Sequence, residues 1–120
     1  MAQGKKIFVV DDERSILEAL EFMLIEEGYD VKTASKGNAL LRLNGDLPDL
    51  ILLDVLLSGE DGREICKYLK KEQTTKNIPI IMISASRDIK KSAEDAGADD
   101  FLAKPFNIDE LIEKIEKLIN

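Results

Sequence analysis

The chain has no histidine and no tryptophan, one cysteine and only three prolines in 120 residues. Without histidine there can be no His-based catalytic triad, no imidazole zinc site and no histidine acid–base chemistry. With Cys66 alone, neither an internal disulfide nor a thiolate metal cluster can form, and nothing points to an oxidising compartment. Long apolar runs are missing too. Ile7 to Val10 is a run of four residues, and Leu50 to Leu57 is broken by Asp54. A secretory signal needs a longer apolar region, and a membrane span needs ~20 residues. A soluble cytoplasmic chain with no membrane partner is therefore expected. Basic charge is in the minority, 17 Lys and Arg against 24 Asp and Glu for a net −7, which argues against direct nucleic-acid binding. No GxxxxGK[ST] segment occurs and no GxGxxG follows the first apolar run, so the chain is not expected to bind its own nucleoside triphosphate.

What is present is regular. Five short apolar runs punctuate the chain: Ile7–Val10, Tyr29–Thr33, Leu50–Leu53, Ile80–Ile83 and Phe101–Ala103. The first, third and fourth are continuous and rich in Ile, Val and Leu, the pattern of parallel strands buried on both faces. The second alternates and reads as an edge strand. Helical patterns separate the runs. Residues 14–27 align Ile16, Leu17, Leu20, Met23 and Leu24 before a stop at Gly28. Residues 38–44 suggest a short helix. Residues 63–73 turn Ile65, Cys66 and Leu69 inward and Lys67, Lys70 and Lys71 outward. Residues 88–96 have only Ile89, Ala93 and Ala96 on a stripe, so this helix should be the most loosely packed. Residues 108–119 carry six apolar positions on one face, with Asn107 and Glu110 spaced as a capping pair. Five strands alternating with five helices imply one doubly wound α/β domain over residues 1–120. Its five-stranded parallel sheet is expected in the order 2-1-3-4-5, with helices on both faces.

The polar residues just after each strand carry the chemistry. Strand one ends in Asp11-Asp12, strand three in Asp54, strand four in Ser84 and strand five in Lys104-Pro105. In a parallel sheet these ends share one edge, and ligands bind where strand order reverses, between strands one and three. Three carboxylates there repel one another unless a cation sits among them, and all-oxygen ligation by few protein groups suits Mg²⁺. A lysine and a hydroxyl across the crevice complete a set resembling a phosphoryl-transfer site, with Asp54 as the nucleophile. Taken singly, each residue also reads as an ordinary cap, turn or surface charge. Their coincidence on four strand ends of one sheet is what favours chemistry. With no nucleotide motif and no histidine, the phosphoryl group must arrive already activated, from a partner protein or a small donor.

These pieces together resemble the response-regulator receiver domain of two-component signalling, a flavodoxin-like fold, over essentially the whole chain. The matching segments are Val9-Val10-Asp11-Asp12-Glu13, Leu50-Ile51-Leu52-Leu53-Asp54-Val55, Gly59-Glu60-Asp61-Gly62, Pro79 to Ala85, Gly97 to Phe101 and Leu102-Ala103-Lys104-Pro105-Phe106. The resemblance implies that Asp54 accepts phosphate from a histidine kinase or phosphotransfer protein. It implies that Asp12, Asp54 and the Leu56 backbone carbonyl ligate Mg²⁺, with Asp11 acting largely through water. Ser84 would bind the phosphoryl group, and Lys104, before a cis Pro105, would pair with it. Phe101 falls where the family places its switch aromatic, commonly Tyr. Ser58 stands where the family commonly has Pro. The output would be a changed surface offered to a downstream protein or effector domain, with the chain assisting its own phosphorylation and dephosphorylation rather than acting as an enzyme.

Two other readings compete. A Mg²⁺-dependent phosphatase resembling the haloacid dehalogenase group also uses an Asp nucleophile with Ser/Thr and Lys at strand ends. Its nucleophile, however, normally follows strand one in Asp-x-Asp, and here strand one offers Asp11-Asp12-Glu13. A module that binds partners without phosphorylation would not need all five acceptor-site residues.

Overall fold

A computed structural model describes residues 4–43 and 45–119. Its main sheet has five parallel strands: β1 (Lys6–Val10), β2 (Asp30–Ala34), β3 (Leu50–Asp54), β6 (Ile80–Ser84) and β7 (Asp100–Ala103). They lie in the order β2-β1-β3-β6-β7. The two short strands β4 (Leu56–Leu57) and β5 (Glu60–Asp61) pair with each other as a separate antiparallel hairpin. With that hairpin set aside, the order is the expected 2-1-3-4-5. The hairpin itself was not anticipated.

Alternating side chains of the central strands feed two cores. Ile7, Val9, Leu50, Leu52, Ile81 and Ile83 pack toward α1 (Arg14–Glu26) and α4 (Ile108–Ile119). Phe8, Val10, Ile51, Leu53, Ile80 and Met82 pack toward α2 (Gly62–Lys71) and α3 (Ile89–Ala96). Each side chain removed from water this way contributes about 1.5–3 kcal/mol. Helix α1 ends as its sequence suggests. Gly28 takes φ 100°, and its N–H donates to the Ile25 carbonyl at 2.9 Å. At the start of α4, Asn107 Oδ1 accepts from the Glu110 N–H at 2.8 Å, satisfying one donor of the first turn.

The structure corrects four local expectations. The helix expected over 38–44 is a 3₁₀ helix over Gly37–Arg42, and residue 44 lies outside the described residues. Strand two is shifted by one residue, leaving Tyr29 buried just before it. Lys70 does not point to solvent. Its Nζ donates to Asp99 Oδ2 at 2.6 Å and to the Ile78 carbonyl at 2.9 Å, covering the start of β6. Finally, the stripe of α3 is not loose: Ile89, Ala93 and Ala96 are all buried. Two of its three stripe residues are alanines, whose small side chains let a helix approach a sheet closely. On α4, by contrast, only Leu111 and Ile115 of the six stripe residues are fully buried.

Candidate functional site

At the C-terminal edge of the sheet, β3 and β6 end on Asp54 and Ser84, while Asp11 and Lys104 directly follow β1 and β7. Register places Val10 beside Leu53, and Asp54 beside Ile83, so Asp11 and Asp54 extend neighbouring strands. Ser84 pairs with Ala103, which puts Ser84 one strand beyond Asp54 and Lys104 two strands beyond it. Asp11 is fully buried, Asp54 is 5% exposed and Ser84 is 1% exposed.

Neither aspartate of the acid pair caps α1. The helix N-cap is Glu13, which makes no side-chain capping bond. Asp11 instead folds back: its Oδ1 accepts from the Glu13 N–H at 3.0 Å, and its Oδ2 accepts from Lys104 Nζ at 3.0 Å. Lys104 Nζ also lies 3.4 Å from Asp54 Oδ2 and 3.7 Å from Glu13 Oε1. Lys104 is thus no solvated surface charge, since its side chain is only 15% exposed. The Lys104–Pro105 peptide is cis, as the resemblance implied.

Two buried carboxylates share this one ammonium. Burial, together with the facing charge of Asp11, pushes the Asp54 carboxyl up to about 6. Lys104 and the Leu56 N–H, 3.4 Å from Asp54 Oδ1, pull the other way without balancing it. Burial opposes the charge on Lys104, but the Asp11 hydrogen bond and the charges of Asp54 and Asp11 outweigh it and raise its pKa. The crevice is short of positive charge.

Asp12 sits at the rim, where its Oδ2 accepts from Ser58 Oγ at 2.8 Å. One carboxylate oxygen from each of Asp11, Asp12 and Asp54 can be chosen so that all three lie within 4.8 Å of one another. Three hard oxygen donors with no nitrogen or sulfur, on a deficit of positive charge, fit Mg²⁺, which keeps several waters.

Of the residues singled out from sequence, Asp11, Asp12, Asp54, Leu56, Ser84 and Lys104 meet at this edge. Leu56 stands at the lip with its side chain 66% exposed. Ser84 Oγ accepts from the Ser86 N–H at 3.0 Å, while its own proton meets no acceptor among the described residues. Phe101 stands apart on β7, beside Met82, partly buried against the α2–α3 side. Lys114 Nζ lies 5.4 Å from the centre of its ring and 3.0 Å from Asp100 Oδ1. Cys66 is the ordinary buried residue expected. Burial pushes its thiol up to about 11, and Sγ lies 3.5 Å from the Ala96 carbonyl.

Sequence reasoning passed over the frame around Asp54. The Gly62 N–H donates to the Val55 carbonyl at 2.7 Å, and a Cβ on Gly62 would lie 2.2 Å from the Asp54 carbonyl oxygen. Glu60 Oε1 accepts from the Gly37 N–H at 2.7 Å, tying the hairpin to the 3₁₀ helix. The Gly59-Glu60-Asp61-Gly62 segment was visible in the sequence, but not what it touches.

Residues 7–116 match the family model described as the response regulator receiver domain. Among solved structures, response regulator TrrA of Thermotoga maritima, in complex with Mg²⁺ and BeF, is 39% identical with a TM-score of 0.84, over 95% of this chain and 98% of that one. A receiver domain of a Francisella response regulator is 34% identical with a TM-score of 0.86, over 97% of each chain. Chemotaxis protein CheY4 of Vibrio cholerae is 31% identical with a TM-score of 0.86, over 95% of this chain and 98% of that one.

Proposed function

The chain belongs to the response regulator receiver family, and from that premise we propose that it accepts a phosphoryl group on Asp54 from a histidine kinase or phosphotransfer protein in the cytoplasm. The observation that carries this reading is Lys104 Nζ lying between the buried carboxylates of Asp11 and Asp54, at 3.0 and 3.4 Å. Such a site lacks positive charge until a cation arrives, and it holds a carboxylate ready to attack.

Asp11, Asp12, Asp54 and the Leu56 carbonyl would hold Mg²⁺, Asp11 largely through water. When bound, the ion supplies positive charge against the developing negative charge of the transferred group. Everything else falls to side chains of this chain. An Asp54 carboxylate oxygen attacks phosphorus, the P–N bond to the donor imidazole breaks, and the donor leaves with the bonding pair. Lys104 is close enough to Asp54 to neutralise one phosphoryl oxygen, and the Ser84 hydroxyl, one strand over, donates to another. Since Lys104 already contacts Asp54, its new bond to phosphate would come at the expense of its bond to Asp11 or Asp54. Movement of Ser84 would then open space for the Phe101 ring, changing the surface seen by a downstream partner. A ligand shifts such an equilibrium only through contacts that differ between states, and the Ser84 bond is one.

The test is intact mass after exposure to acetyl phosphate, with and without Mg²⁺. One phosphate should add in the presence of Mg²⁺ and none in its absence. Asp54→Asn should not be modified. Equal labelling of that variant would move the acceptor elsewhere.

A further inference from the structure

Ser58, the residue that departs from the family pattern, has a partner in the crevice. Its Oγ donates to Asp12 Oδ2 at 2.8 Å, across 46 residues of sequence. A proline in its place, having no hydroxyl, could not make this bond. Asp12 has no other hydrogen bond or ion pair among the described residues. Its carboxylate lies at the partly exposed rim. Left alone it would sample several rotamers, and ordering it for a ligand would cost conformational entropy.

The hydroxyl is presented from a fixed frame. Leu56 pairs with Asp61 and Leu57 with Glu60 across the hairpin. The hairpin is tied at one side by the Glu60 bond to the Gly37 N–H at 2.7 Å, and at its base by the Gly62 bond to the Val55 carbonyl at 2.7 Å. Both glycines are packed without room for a side chain. A Cβ would lie 2.1 Å from Ile65 Cδ1 at Gly37, and 2.2 Å from the Asp54 carbonyl oxygen at Gly62. Gly59, at the turn beside Ser58, takes φ 73° and meets no such crowding. Ser58 is therefore held close to Asp12 by a hairpin anchored to two other elements.

We propose that Ser58 is a positioning residue for the cation site: its hydroxyl holds the Asp12 carboxylate by one oxygen and leaves the other available to Mg²⁺. This inference rests on the reading of Asp11, Asp12 and Asp54 as the Mg²⁺ site. Partners that orient metal ligands without touching the ion typically change affinity by about 10–100-fold when removed. Ser58 is exposed and makes a single bond, so the lower end of that range is expected.

The experiment is titration of the unphosphorylated chain with Mg²⁺ by calorimetry and by amide NMR, for the wild type, Ser58→Ala and Ser58→Thr. Ser58→Ala should weaken Mg²⁺ binding about tenfold, while Ser58→Thr, which keeps the hydroxyl, should stay within about threefold of the wild type. The metal-free urea midpoint should be alike in all three, and the Gly37 and Gly62 amide signals should not move in Ser58→Ala. Wild-type affinity in Ser58→Ala overturns the proposal. So does weakened binding accompanied by displaced Gly37 and Gly62 signals, since the cause would then be the hairpin rather than Asp12. If the wild type shows no saturable Mg²⁺ binding, the reading of the cation site fails, and this inference falls with it.

Discussion

Strand β3 contains two opposite kinds of energetics within five residues. Leu50, Ile51, Leu52 and Leu53 are wholly buried among apolar neighbours on both faces of the sheet. Asp54, the next residue, is nearly as buried, but between another carboxylate and a shared ammonium. The body of the strand is stabilised by leaving water. Its tip is destabilised by the same move, because a charge loses solvation that its partners only partly replace. The apolar body holds the tip in a place it would not choose alone, and the tip's unmet demand for positive charge is what a cation can answer.

The largest test of this contrast truncates the body. Leu52→Ala should lower unfolding free energy by about 3 kcal/mol, as large-to-small changes in a close-packed core do. Urea unfolding measures it, and a loss below about 1 kcal/mol would mean that the core relaxes into the gap. Next comes the ammonium. Lys104→Met keeps the apolar stem but leaves Asp11 and Asp54 facing each other, so the metal-free chain should lose about 2 kcal/mol. Mg²⁺ should still bind and restore most of that stability, whereas failure to bind would contradict the division of roles between Lys104 and the carboxylates.

Neutralising the tip should have the reverse sign. Asp54→Asn removes a burial-disfavoured charge that also repels Asp11, so the metal-free variant should be more stable than the wild type by about 1–2 kcal/mol at pH 7. Here pH gives an independent check. The carboxyl titrates near 6 in the folded chain against an ordinary 3.8. Between those values the folded state binds more protons, so this group's contribution to stability improves as pH falls from 7 toward 4. The gap between Asp54→Asn and wild type should therefore be widest near pH 7 and close near pH 4. A gap independent of pH would show that the variant gains by some route other than lost charge.

The same contrast decides what was legible in the sequence. Continuous apolar runs such as Ile80–Ile83 announce a buried parallel strand, because both faces need apolar side chains. The polar residue ending each run could be placed on the shared edge by topology alone. The pairs that shape the site were harder to see. Ser58 to Asp12 spans 46 residues, Lys70 to Asp99 spans 29 and Glu60 to Gly37 spans 23. No local period encodes such pairs, since they depend on how separate loops meet. The 3₁₀ helix failed for a related reason. Leu40 is buried but Leu41 is 44% exposed, so the leucine-rich stretch does not mean what it would on a longer amphipathic helix. Gly37 is crowded by Ile65, a constraint invisible until the chain is folded.

The smallest expected effect on the fold, and the most specific to the tip, lies at Leu56. Its side chain is 66% exposed and packs into neither core, so Leu56→Asn should leave stability unchanged. Leu56 lies two residues past Asp54, with its N–H 3.4 Å from Asp54 Oδ1, at the position where the receiver resemblance implies the water's path to a phosphorylated acceptor. Hydrolysis needs a water placed in line with the bond that breaks, and an oriented water reacts faster than an unordered one. Leucine offers that water no hydrogen bond and adds apolar bulk at the lip. Ser86, the residue two past Ser84, offers only a small hydroxyl, and its N–H already donates to Ser84 Oγ. An asparagine at position 56 could both admit and orient the water, so Leu56→Asn should lose phosphate about 3- to 10-fold faster than wild type. Affinity for Mg²⁺ should hardly change, because the group assigned to the ion at this position is the backbone carbonyl. The measurement is loss of phosphate from Asp54 after donor removal, at matched Mg²⁺. A variant that keeps its phosphate as long as wild type would show that the lifetime is set by the buried carboxylates and Lys104, and not by the side chain at the lip.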